Sequence, residues 1–161
     1  MALIIENGNQ IPNSNSFVTD AEYTTYATLK GLTVGVDAAA REIDLLAGMD
    51  YILSQESMLQ GRRTASTQSV MFPRVGVYLF GYAVNSDFIH DYVKNSQMEA
   101  AAYNTSGTLL NNTTITNKQK EKVDVLEVEY FKGGSRSNVN LQRVDTYLIP
   151  LMEDTNKLVR T

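Results

Sequence analysis

The chain has no cysteine and no tryptophan, and His90 is the single histidine among its 161 residues. Without cysteine there are no disulfide bonds and no thiolate metal ligands, and one imidazole leaves mainly carboxylates and amides to bind an ion. A disulfide scaffold is excluded and a structural zinc site nearly so. We expect the protein to use no cofactor and no metal.

Positive charge is also scarce. The 14 Lys and Arg residues are outnumbered by 18 Asp and Glu, which gives a formal net charge of −4. A broad nucleic-acid-binding face needs clustered cations to neutralise phosphates, so this balance argues against one and leaves room only for local basic patches. The longest nearly apolar run, Val75 to Val84, reaches about half of a bilayer span. We expect it to be a buried or interface segment, and we expect no membrane partner.

Signatures of catalysis are missing as well. A Ser-His-Asp triad would have to use His90, and no Gly-x-Ser-x-Gly motif accompanies it. Neither a phosphate-binding loop nor a dinucleotide-binding motif occurs. Carboxylate pairs such as Glu127 and Glu129 are more simply explained as solvated residues. The sequence therefore predicts a protein that is not an enzyme.

Local signals place the first two helices. Thr19 and Glu22 have the spacing of a capping box, which predicts a helix from Asp20 to about Lys30. Asp37 predicts the start of a second helix that continues to about Ser54. Its apolar residues at three- and four-residue spacing predict one buried face, formed by Ala39, Ile43, Leu46, Met49 and Leu53.

The remaining elements are predicted less sharply. A third helix is expected from about Asp87 to Tyr103, followed by a Thr/Asn-rich loop from Asn104 to Asn117. Alternation over Lys120 to Phe131 changes register, which predicts strands broken by a bulge or turn near Asp124. A short helix is expected around Leu141 to Ile149, because Pro150 ends it.

These elements predict one domain of the α+β class, mainly α. We expect a small helical bundle with a β-hairpin or strand extension and extended arms at both ends. The expected parts are a flexible N-terminal arm over residues 1–17, a helical core over 18–149, a β extension at about 118–132, and a C-terminal docking tail over 150–161.

The segment from Gly61 to Tyr78 combines basic, polar and aromatic residues, and two interpretations of it are open. Its arginines, a lysine cluster and nearby rings could form a small platform that stacks and binds single-stranded nucleic acid. Alternatively, the arginines pair with acidic residues across a subunit boundary or donate to backbone carbonyls in a turn. The residues concerned are Arg62, Arg63, Arg74, Lys118, Lys120, Lys122, Phe72, Tyr78 and Tyr82.

Several segments, in order, resemble a family of tailed-phage proteins. They are MALIIENG, SFVTDAEYTTYA, AGMDYI, the block ending in FPRVGVY, SDFIHDYVKNSQMEAA and KVDVLEVEY. Proteins with this pattern carry the label DnaT-like single-stranded-DNA-binding protein. Because members of the family accompany virion structural genes, the resemblance implies a head-tail adaptor.

An adaptor of this kind would form a ring of about twelve copies below the portal. It would join the capsid to a tail tube, nozzle or other neck protein, let DNA pass through its lumen, and reside in the virion neck after assembly in the host cytoplasm. The residues expected to dock the portal or another partner are Leu151, Met152, Leu158, Val159 and Arg160. The residues expected to form contacts between subunits are Arg62, Arg63, Phe72, Arg74, Glu127 and Glu129. The alternative is a DnaT-like protein that binds single-stranded DNA.

Overall fold

The computed structural model describes residues 2–107, 109, 120–123, 126–129 and 141–153, with the two segments 120–123 and 126–129 described by backbone alone. Helices α1 to α4 span Asp20–Lys30, Ala38–Ser54, Asp91–Ser106 and Gln142–Leu148. Strands β1 to β6 span Arg62–Arg63, Arg74–Val75, Tyr78–Leu79, Tyr82–Ala83, Lys120–Val123 and Leu126–Glu129, and they form three antiparallel pairs. The prediction of an α+β fold that is mainly α is confirmed.

Helix α1 begins and ends as its sequence signals predict. The Thr19 hydroxyl accepts a hydrogen bond from the Glu22 N–H at 3.2 Å, and the Glu22 carboxylate accepts one from the Thr19 N–H at 2.7 Å. These reciprocal bonds satisfy donors that have no partner inside the helix. Gly31 follows with a φ of 64°, a left-handed conformation that suits glycine and ends the helix.

Helix α2 has the predicted bounds, but its predicted buried face is only partly right. Met49 is buried as predicted, whereas Ala39 is exposed and Ile43 is 61% exposed. The buried side of the helix instead consists of Asp44, Leu45, Gly48, Met49, Tyr51 and Ile52. Apolar spacing alone could not place a buried carboxylate or a glycine on the packing face.

Helix α3 packs closely on that face of α2. A Cβ added at Gly48 would lie 2.7 Å from the Gln97 carbonyl oxygen and 2.9 Å from the Ala101 nitrogen, so only glycine allows the two backbones this approach. The Asp44 carboxylate accepts hydrogen bonds from the side chains of Asn104 and Thr105, each at 2.8 Å. Those bonds explain why an acidic residue is buried between the helices.

The predicted limits of α3 need correction at both ends. The helix begins at Asp91 rather than Asp87, because the Nδ1 atom of His90 accepts a hydrogen bond from the Tyr92 N–H at 3.1 Å and caps it. It continues to Ser106, so the first residues of the expected loop are helical. Residues 111–117 of that loop lie outside the described residues.

Gln97 is fully buried and joins α3 to two other parts of the chain. Its Oε1 atom accepts a hydrogen bond from the Phe17 N–H at 2.9 Å, and its Nε2 atom donates to the Ser16 hydroxyl and the Leu45 carbonyl. Every polar atom of this side chain therefore has a partner. The buried apolar residues of the chain include Phe17, Val18, Tyr23, Leu45, Ile52, Met71, Phe72, Val93, Leu148 and Leu151.

The N-terminal segment is folded, so the expectation of a flexible arm is wrong for the residues described. The Glu6 carboxylate is buried and accepts hydrogen bonds from the N–H groups of Gly8, Gln10 and Ile11 at 2.8–2.9 Å. Ile5 forms a β-bridge with Ser16. The irregular sequence is therefore ordered by backbone bonds to one carboxylate.

The first residues of the expected C-terminal tail are also packed on their own chain. A short 3₁₀ turn over Ile149–Leu151 follows α4, and the Leu151 carbonyl accepts a hydrogen bond from the Gln60 N–H at 2.9 Å. Leu151 is fully buried, and Met152 forms a β-bridge with Leu59. The predicted docking residues Leu158, Val159 and Arg160 lie outside the described residues.

Strands β5 and β6 belong to a second unit of the chain. The two strands pair antiparallel, with Lys120 opposite Glu129 and Val123 opposite Leu126. The predicted interruption near Asp124 therefore separates two paired strands. Glu127 and Glu129 lie in β6, and Lys118 lies outside the described residues. None of the helices in the described ranges has the length and apolarity to cross a bilayer.

Candidate functional site

Arg74 holds together the start and the end of the Gly61–Tyr78 segment. Its guanidinium is almost fully buried and donates to the carbonyls of Gln60 and Gly61 at 2.7 and 2.8 Å, and to a Glu56 oxygen at 3.1 Å. The interpretation that an arginine donates to backbone carbonyls in a turn therefore holds for Arg74. Burial lowers the pKa of Arg74 although Glu56 acts in the opposite direction.

Arg63 binds the same carboxylate. Its Nε and Nη2 atoms donate to the two Glu56 oxygens, each at 2.6 Å, and its Nη1 atom donates to the Gln68 carbonyl at 2.7 Å. This two-pronged pairing, together with the charge of the arginines, lowers the pKa of Glu56 although partial burial opposes the shift. Phe72 is buried and packs edge-to-face on Phe17. The observed contacts of Arg63, Phe72 and Arg74, which were expected between subunits, are with their own chain.

This scaffold supports a hairpin that exposes aromatic rings. Strands β3 and β4 are joined by Phe80 and Gly81, whose φ angles of 52° and 87° are the left-handed pair that a two-residue hairpin turn requires. A phenylalanine rarely adopts this conformation, so the backbone is strained at the hairpin tip. The Tyr78 N–H donates to the Gln60 side chain at 3.0 Å, which fixes the base of the hairpin.

The register of the hairpin decides which side chains share a face. Tyr82 lies opposite Leu79 and Tyr78 lies opposite Ala83, so Tyr78 and Tyr82 are on opposite faces, and Phe80 is at the tip. Val77 and Leu79 are buried, whereas Tyr78, Phe80 and Tyr82 are 57%, 74% and 80% exposed. The segment expected to be buried or to form an interface is therefore buried only in part, and it presents three exposed aromatic rings within five residues.

An open cleft of about 490 Å³ lies beside these rings, and we call it the aromatic cleft. Phe88, which is half exposed, and His90 contribute to its lining and contact each other edge-to-face, with ring centroids 6.0 Å apart. Tyr92 contacts both His90 and Phe80 edge-to-face, at 4.9 and 6.2 Å. The complete lining is Leu79, Phe80, Tyr82, Ala83, Val84, Asn85, Phe88 and His90.

Arg62 is the one arginine of the segment that remains available. It is exposed on β1, opposite Val75, and its side chain has no hydrogen bond or ion pair with any residue that the structure describes. Lys120 and Lys122 lie in β5, in the separate unit. In the main unit, the exposed members of the predicted basic platform are therefore Arg62, Tyr78 and Tyr82.

His90, the only candidate for a catalytic imidazole, is the N-cap of α3 and also lines the aromatic cleft. In the described ranges, no three Asp, Glu or His side chains gather where they could bind a metal ion. Sequence reasoning missed Phe80, Asn85 and Phe88 as members of the cleft. The turn residue Gly81 between aromatic residues was a signal that could have revealed an exposed hairpin tip.

The model of one protein family, described as "Putative DnaT-like ssDNA binding protein", matches residues 1–161. Searches of curated proteins and of solved structures found no match. No head-tail connector family appears, so the expectation of a phage neck adaptor that forms a ring below the portal is wrong. The family match instead favours the alternative. Because the match covers its whole length, the chain belongs to the DnaT-like single-stranded-DNA-binding family.

Proposed function

We propose that the protein binds single-stranded DNA by stacking bases on the exposed rings of the β3–β4 hairpin. The observation that carries this proposal is the exposure of three rings, Tyr78, Phe80 and Tyr82, within five residues of one hairpin. Unpaired bases stack on such rings with little regard to sequence, because every base has a π-face. The family match supports the class of ligand.

The hairpin is suited to hold these rings in place. The buried side chains of Val77 and Leu79 anchor the hairpin, and the Val84 N–H donates to the Val77 carbonyl at 2.9 Å. Because the backbone is already fixed, binding costs less conformational entropy than it would on a loose loop. Large exposed rings that contribute little to folding are thus available for a ligand.

The charge distribution sets the expected mode of binding. A net charge of −4 provides little general attraction for phosphates, so stacking should contribute most of the affinity. Arg62 has no partner among the residues that the structure describes, and it is expected to contact one phosphate. Arg63 and Arg74 are committed to Glu56 and to backbone carbonyls.

The stacking role can be tested by fluorescence anisotropy with a labelled oligo-dT. Tyr82→Ala removes one ring, and we expect affinity to fall about 5- to 150-fold, the range for the loss of one base stack. Tyr82→Phe keeps the ring and should bind nearly as well as the unmodified protein. Leu29, which is equally exposed, provides a matched control, and Leu29→Ala should leave binding unchanged.

Salt dependence tests the phosphate contact separately. Arg62→Ala should reduce the slope of log K against log salt by about 0.7, the value for one phosphate on a single strand. The proposal is refuted if the unmodified protein does not bind oligo-dT at low salt. Equal losses in Tyr82→Ala and Leu29→Ala would also refute the stacking role.

A further inference from the structure

We infer that Phe80 is the main DNA-contacting ring of the hairpin, and that the chain keeps this residue although it lowers the stability of the fold. This inference rests on the proposed function and adds to it the residue on which binding depends most. It is carried by a conflict between the backbone at the hairpin tip and the residue found there. Phe80 has a φ of 52°, in the left-handed region that residues with a Cβ rarely adopt.

Other residues suit this position of the turn better. The two-residue turn requires left-handed conformations at both Phe80 and Gly81, and Asn-Gly is the pair that such turns prefer. Asparagine tolerates this conformation, and glycine has no Cβ to clash with the backbone. Folding by itself would therefore favour asparagine or glycine over phenylalanine at the hairpin tip.

The contacts of the Phe80 ring within the fold do not explain its presence. Phe80 is 74% exposed, and it meets Tyr92 edge-to-face with ring centroids 6.2 Å apart. No described atom lies within 4 Å of a Cβ added at Gly81, so the tip stands in open space. An exposed ring gains little from the hydrophobic effect, because that effect is proportional to the apolar area removed from water.

The other described residues that have a positive φ and are not glycine are held by local bonds. The Gln10 N–H donates to the buried Glu6 carboxylate at 2.9 Å, and the Asn13 N–H donates to the Ser69 hydroxyl at 2.9 Å. Phe80 differs from both, because its distinguishing feature is an exposed aromatic ring. Backbone strain of this kind clusters at ligand-binding sites, where the surrounding structure maintains it.

The register of the hairpin explains why this ring is more important than either tyrosine. Tyr78 and Tyr82 are on opposite faces, so a base stacked on one is separated from the other by the hairpin itself. Phe80 lies at the tip, where the two faces meet. A single strand that stacks on either tyrosine can therefore stack on Phe80 as well.

Phe80→Asn tests the inference, because it should change stability and binding in opposite directions. It relieves the left-handed strain, so the melting temperature should rise by about 2–4 °C, the shift for a small stabilisation in a chain of this length. It also removes the ring, so affinity for labelled oligo-dT should fall about 5- to 150-fold, and by at least as much as in Tyr82→Ala. Phe80→Tyr keeps both ring and strain, and should match the unmodified protein in both measurements.

Two results would overturn the inference and leave the proposed function intact, provided that the unmodified protein binds oligo-dT. One is a melting temperature of Phe80→Asn that does not rise, or a failure of this variant to fold, since the ring would then support the fold. The other is a loss of affinity smaller than that of Tyr82→Ala. If the unmodified protein does not bind oligo-dT, the inference and the proposed function are both wrong.

Discussion

Replacing Glu56 with glutamine is the sharpest test of the arginine scaffold under the hairpin. The Glu56 carboxylate accepts two hydrogen bonds from Arg63 at 2.6 Å and one from Arg74 at 3.1 Å. Glutamine has nearly the same shape but no charge, and it offers one acceptor oxygen instead of two. Glu56→Gln therefore weakens the link to both arginines without creating a cavity.

The loss of stability expected for Glu56→Gln depends on the hydrogen bonds that Arg74 retains. Breaking a buried ion pair by removing one partner costs about 3–5 kcal/mol when the other charge is left uncompensated. Arg74 still donates to the carbonyls of Gln60 and Gly61, and solvent partly reaches Glu56. We therefore expect a loss of about 2 kcal/mol, within the range for hydrogen bonds to charged groups. For a chain of this length, that corresponds to a decrease of about 4–8 °C in melting temperature.

The pH dependence of stability gives a second measure of the ion pairs that Glu56 forms. Hydrogen bonds from Arg63 lower the pKa of Glu56 below its ordinary value of 4.5, so the folded state favours the charged carboxylate. This contribution is fully present above the pKa of the unfolded chain and is lost as the pH falls through the lower pKa of the folded state. The difference in stability between the unmodified protein and Glu56→Gln should therefore be constant near neutral pH and shrink below pH 4.5.

Thermal unfolding followed by circular dichroism between pH 7 and pH 3 measures both effects. Asp50→Asn is a matched control, because it removes one charge from an exposed position on α2 and should change stability by less than about 0.5 kcal/mol. Glu56→Gln melting within about 1 °C of Asp50→Asn at pH 7 would show that the ion pairs do not support the fold. A difference that persists undiminished at pH 3 would show that charge is not the cause.

Three further substitutions test the packing and caps. Gly48→Ala gains about 1 kcal/mol of helix propensity, but the new Cβ would lie 2.7 Å from the Gln97 carbonyl oxygen. Urea denaturation should therefore show a net loss of stability of about 1–3 kcal/mol, and a gain would contradict the close packing of α2 and α3. In the same assay, Thr19→Ala should lower the free energy of unfolding by about 1 kcal/mol, and Thr19→Ser should lower it much less. Equal stability of the two variants would exclude a role for the capping box. Gln97→Met removes the acceptor of the buried Phe17 N–H, so hydrogen exchange at that amide should accelerate; unchanged exchange would contradict the bond.

Short-range signals predicted the helices well. The limits of α1 agree with the prediction because Thr19, Glu22 and Gly31 act on backbone groups within a few residues of themselves. Asp37 caps α2 for the same reason. The start of α3 was predicted too early, because a histidine cap was not considered.

Contacts between residues distant in the chain determine several features that local sequence patterns did not predict. The buried face of α2 depends on the fit of Gly48 against α3, and the burial of Asp44 depends on Asn104, 60 residues away. The N-terminal segment is ordered because Glu6 gathers neighbouring N–H groups that have no helix or strand partner. Composition alone made that segment resemble a flexible arm.

The candidate site was predicted in part. Tyr78, Tyr82 and Arg62 belonged to the expected nucleic-acid platform, and all three are exposed. Arg63 and Arg74 looked equivalent to Arg62 in the sequence, but their environments differ because Glu56 lies within reach of only two of the three. Phe88 and Asn85 join the site only through the fold around the cleft.

The sequence by itself determined the fold class, the first two helices and membership of the family, because each depends on local spacing or on the residue pattern as a whole. The tertiary structure alone decided which arginine has no partner among the described residues, which face of α2 is buried, and that three rings of one hairpin are exposed. The physical reason is that burial and pairing depend on residues distant in the chain. A side chain becomes a binding group only when the fold leaves it without an internal partner.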